Sequence, residues 1–200
     1  VVGDLYAAFR ESYKPLNEWK DLRPIGALHL HTGRGPKNNP RNWFRKKDLD
    51  ISTAEGKAEF RKLVMQYADR SVKVLKGMDA QGMIVWNLEG EENPHPISYI
   101  GDPRMLQTYA PEMDDVADAF FQRFRDAGLR TGVTIRPTQT YYNDKKRKVA
   151  HGTGSDMPGR HAQFQEIKPA DLPSWQFFPV VERLSDKIDY AKKRWGCTIF

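Results

Sequence analysis

Short apolar runs alternate along this chain with stretches whose apolar residues recur every three or four positions. That alternation predicts βαβ units, and therefore a parallel sheet. The first strand is predicted over residues 26–31, Gly-Ala-Leu-His-Leu-His, and a polar loop rich in Gly, Pro, Asn and Arg follows it. The loop ends in Ser52-Thr53-Ala54-Glu55, a capping box with Ser52 as the cap. Phe60, Leu63, Val64, Tyr67, Val74, Leu75 and Met78 then form one helical stripe. A second strand is predicted over residues 83–89, Met-Ile-Val-Trp-Asn-Leu-Glu. Pro111 opens a helix that buries Met113, Val116, Ala117, Phe120 and Phe124 and ends at Gly128. The third strand is Thr131 to Arg136, and residues 137–176 read as a long loop. Val181, Leu184, Ile188 and Ala191 mark a third helix, and a fourth strand begins at Cys197.

These elements predict the α/β class and a parallel (β/α) barrel of TIM type with about its first four strands present. Residues 1–24 read as an N-terminal extension and 25–200 as the partial barrel domain. The length of 200 residues fits that reading, because a complete barrel takes roughly 250. A last strand with nothing beyond it leaves a bare sheet edge.

Composition narrows the function. No run of about 20 apolar residues is present to span a bilayer, so no membrane partner is expected. The net charge is +6, but Lys and Arg are spread along the chain, with one cluster at Lys145-Lys146-Arg147-Lys148 that reads as a solvated loop. No nucleic-acid partner is expected either. The single cysteine, Cys197, excludes an intrachain disulfide and a cysteine-only metal cage. Secreted or periplasmic localisation is favoured slightly, and nothing sets the oligomeric state.

Parallel α/β folds place their chemistry at the C-terminal ends of the strands. Strand alternation gives each predicted strand a polar face, ending in His31, Glu89 and Arg136. Polar groups there must be paired or used, since burying them unpaired is costly. One use is glycoside hydrolysis, which needs carboxyl groups flanking the scissile bond. Glu89 and Glu91 are the candidate catalytic carboxyls, while His29, His31, Asn87, His95 and Arg136 suit hydroxyl recognition. Trp43, with Phe44, Tyr141 and Tyr142, offers rings on which sugars stack. A plainer alternative is a structural network, such as Glu89 with Arg136. A different chemistry would use His29 and His31, a His-x-His pair, as ligands of a hydrolytic metal. No third ligand stands at metal-binding spacing, so neither metal nor cofactor is assigned.

The run Gly82-Met83-Ile84-Val85-Trp86-Asn87-Leu88-Glu89-Gly90, with Pro94-His95 and Tyr99-Ile100-Gly101-Asp102-Pro103-Arg104, resembles bacterial glycoside-hydrolase-like barrel proteins. The resemblance runs from about Ile25 to Phe200, and the layout is similar to the α-galactosidase-type barrels. It implies a carbohydrate substrate and a nucleophile at the end of the fourth strand, past Phe200, with residues 1–200 carrying substrate-binding groups. Where such sequences have Asp, this chain has Asn87, which fits a barrel that binds carbohydrate without catalysis. The His29-x-His31 strand also resembles the opening strand of amidohydrolase and phosphoesterase barrels, but Ala27-Leu28 replaces the acidic residue expected just before it.

Overall fold

The computed structural model describes residues 20–30, 32–33, 35–86, 88–90, 101–136, 139–143, 148–152 and 177–200, with backbone alone for 139–143, 148–152 and 177–183. In chain order the elements are β1 (Ile25–His29), α1 (Ala54–Gly77), β2 (Gly82–Trp86), the short α2 (Leu106–Tyr109), α3 (Pro111–Asp126), β3 (Thr131–Gly132), β4 (Gln139–Asn143), β5 (Lys148–Gly152), α4 (Phe177–Trp195) and β6 (Cys197–Ile199).

The strands pair in parallel, β1 with β2 and β3 with β6. Leu28 lies opposite Val85, and His29 opposite Trp86. Between the two pairs only isolated bridges form, Gly82 with Arg130 and Val85 with Val133. The expected TIM-type barrel is therefore corrected: the described residues make two two-stranded parallel sheets and an antiparallel hairpin, which is not a barrel. A barrel needs a continuous ring of tilted strands in regular stagger. Here the third strand is cut to two residues, and its register slips between Thr131 and Gly132. Residues 133–136, expected to extend it, form no strand of their own, although Val133 bridges to Val85 and donates its N–H to the Ile199 carbonyl at 3.3 Å. Part of the expected loop at 137–176 instead forms the hairpin of β4 and β5.

The helices follow the sequence pattern with two adjustments. Thr53 rather than Ser52 caps α1: its hydroxyl accepts the Gly56 N–H at 3.0 Å, while the Ser52 hydroxyl donates to Asp50 at 2.6 Å. The buried line of α1 is Phe60, Val64, Ala68, Ser71 and Leu75, so Val74 and Met78 turn out to solvent. Leu75 seats α1 on β1, where a Cβ at Gly26 would lie 2.2 Å from its side chain. Helix α3 opens at Pro111 with Glu112 and Asp114 in its first turn and closes with Arg123 and Arg125, matching its dipole at both ends. Phe120 packs edge-on to Phe121 and Phe124 in the core, with centroids 5.4 and 5.1 Å away. No described helix is long and apolar enough to cross a membrane.

Candidate acid–base site

Beyond the end of β2 the chain makes a turn, Leu88-Glu89-Gly90, whose three residues are all buried. Gly90 takes φ +84°, and a Cβ there would meet the Arg41 side chain at 2.6 Å, so only glycine fits. Arg41 is itself fixed. It pairs with Glu112 at the start of α3, its Nε donating at 2.7 Å, and its Nη1 donates to the Tyr109 carbonyl at 2.7 Å. The Trp43 indole N–H donates to the same Glu112 carboxylate at 2.5 Å. This buried clamp ties the loop after β1 to α3 and forms the wall behind the turn.

Glu89 is 2% exposed. Burial, with Asp102 nearby adding repulsion, pushes its carboxyl up to about 7, against backbone hydrogen bonds from Glu89 and Asp102 and the attraction of Lys187. Asp102, 1% exposed, caps the turn before α2 by accepting the Arg104 N–H at 3.2 Å. Its two oxygens also accept from Nε and Nη2 of Arg104, each at 2.9 Å. Lys187 of α4 reaches the same carboxylate at 3.5 Å and donates to the Arg136 carbonyl at 2.8 Å. The Lys187 side chain is 0% exposed, and burial lowers its amine below the usual lysine value while Asp102 opposes that shift. The Arg136 N–H closes the ring by donating to the Gly101 carbonyl at 2.8 Å.

Two buried carboxyl groups thus stand in different surroundings, one desolvated and one ion-paired. Such a contrast assigns acid and anion roles. Glu89 keeps its proton to near neutrality and can donate it, whereas Asp102, between Arg104 and Lys187, can hold negative charge.

The expected site is only partly assembled. Arg136 gives its carbonyl to Lys187, whose charge also acts on Glu89. His29 lies elsewhere: it is exposed, directly opposite Trp86, and stacks on that ring at 5.9 Å and 21°. Trp43 is wholly buried against Phe60 and bonded to Glu112, so it offers no face to a sugar. His31, Asn87, Glu91 and His95 lie outside the described residues, as do the side chains of Tyr141 and Tyr142. Among the described residues no group of three His, Cys, Asp or Glu is placed to hold a metal ion.

Sequence reasoning missed Asp102 and Lys187, though each left a trace. Asp102 precedes Pro103, the signature of a capped first turn. Lys187 falls three residues after Leu184 and four before Ala191, on the apolar stripe of α4. No protein-family model, curated protein or solved structure matches this chain.

Proposed function

We propose that the protein acts on a carbohydrate as a glycoside hydrolase in which Glu89 is the general acid. The observation that carries this reading is the burial of the Glu89 carboxyl just beyond β2, which raises its pKa, while a second buried carboxylate, Asp102, is ion-paired. Glycosidic oxygen is a poor leaving group until protonated, and a carboxyl that keeps its proton near pH 7 meets that need. Arg136, whose carbonyl accepts from Lys187, is the polar group nearest this site on the β3 side.

The test is hydrolysis of a panel of aryl glycosides by wild type and by Glu89→Gln, with sugar affinity measured in parallel. The expected result is a loss of kcat on the order of a hundredfold or more in the variant, with affinity for the sugar retained. Binding without turnover by the wild type would make the protein a carbohydrate-binding module. Unchanged kcat in the variant would remove Glu89 from the chemistry.

A further inference from the structure

Three large apolar side chains stand exposed at one end of the fold, where α1 finishes and the chain enters β1 and β2. Leu22 is 87% exposed, Val74 58% and Met78 57%. Hydrogen bonds bring their segments together. The Gln81 N–H donates to the Pro24 carbonyl at 3.0 Å, and its side-chain amide donates to the carbonyls of Asp21 and Arg23 at 3.0 and 2.7 Å. Arg23 also bridges to Asp79 at 3.4 Å, so Leu22 and Met78 each sit one residue from the same ion pair. Val74 lies one helical turn before Met78. Isolated apolar residues on a surface are ordinary, but several gathered at one end mark a place where something binds. Lys20, Lys73 and Lys76, all exposed, neighbour these residues in sequence, while Asp21 and Asp79 are both engaged by Arg23.

The sequence that leads into this patch carries a complementary pattern. Within residues 1–19, Val2, Leu5, Phe9, Leu16 and Trp19 follow the spacing of one helical face, with Ser12 the polar member of the series. Asp4, Glu11 and Glu18, seven apart, fall along one flank of that stripe, and Arg10 falls on the other. Pro15 cannot sit inside a regular helix, so the stretch before it is the helical part and Pro15 to Trp19 the connection to Lys20, two residues before Leu22. We propose that residues 1–14 dock as an amphipathic helix on the Leu22–Val74–Met78 patch, with Asp4 and Glu11 turned to its lysines. This segment is favoured over a second copy or a lipid surface because it is tethered beside the patch. Its effective concentration there is on the order of millimolar whatever the protein concentration. The docking does not depend on the hydrolase reading.

Cys197 is the single cysteine and is buried, so a spin label on Ala7→Cys reports the segment alone, from a position opposite the apolar stripe. In the full chain the label should broaden the methyl signal of Met78, to the same extent at every protein concentration. Trypsin should cut after Arg10 and Lys14 about tenfold faster in Val74→Glu/Met78→Glu than in wild type. Both changes lie off the buried line of α1, and the spin-label measurement needs neither of them. No broadening of Met78, or equal cleavage of the two proteins, overturns the proposal. Broadening that arises only between separate chains makes a second copy the occupant and overturns it too. Binding of wild type to vesicles containing phosphatidylserine, lost in Val74→Glu/Met78→Glu, would show the patch open to lipid, with the same consequence.

Discussion

Glu112 is the residue whose loss the fold should feel most sharply. One oxygen of its carboxylate accepts from both Nε and Nη2 of Arg41 and from the Trp43 indole, so a single side chain satisfies three donors. Replacing it with Ala leaves the Arg41 guanidinium, 8% exposed, with the Tyr109 carbonyl as its acceptor in the clamp. Removing one partner of a buried ion pair costs roughly 3–5 kcal/mol, because the charge left behind stays desolvated. The unpaired indole adds about 1 kcal/mol more. For a chain of this size the loss should lower Tm by about 10 °C or more. Urea unfolding followed by tryptophan fluorescence measures it, since Trp43 reports its own surroundings. The double variant Arg41→Met/Glu112→Leu should regain most of the loss, as an apolar pair of similar volume removes both buried charges. A single-variant cost below about 1 kcal/mol would refute the view that this clamp is dry and structural.

Two other outcomes follow from burial. Cys197 is buried and its thiol is pushed up to about 12, largely by desolvation, so the native protein at pH 8 should not react with a thiol reagent on a timescale of minutes, whereas the urea-unfolded chain should react at once. Phe120→Ala should destabilise by roughly 3–5 kcal/mol in the same urea titration, because the side chain is fully enclosed and in ring contact with Phe121 and Phe124.

Element type was legible wherever one face of an element repeats. Helix α3 shows this: Pro111, the acidic first turn and the Met113–Val116–Phe120–Phe124 spacing set its start, direction and buried side. Phe121 escaped notice because α3 is covered on a wider arc than one stripe, with Trp195 of α4 stacked on that ring at 4.7 Å. Strand number and pairing were less legible. A run such as residues 131–136 has the composition of a strand throughout, yet strand length depends on a neighbour staying in register, and beside Gly132 the register slips. Extending the pattern into a barrel treated local strand propensity as if it specified closure, which is a long-range property.

The same distinction explains the candidate site. Strand alternation drew attention to Glu89, since a carboxyl at the end of an apolar strand must be paired, protonated or used. It then grouped Glu89 with His29, because both stood on polar strand faces in the sequence. The parallel register sets His29 opposite Trp86, and the groups that surround Glu89 come from a capped turn and a helix. Lys187 was the more informative residue: a lysine on the buried stripe of a helix costs free energy unless an anion waits for it, so its position implies a buried carboxylate elsewhere in the chain. Asp102 is that carboxylate. Burial is what raises the Glu89 carboxyl, with the Asp102 charge adding to the effect and Lys187 opposing it.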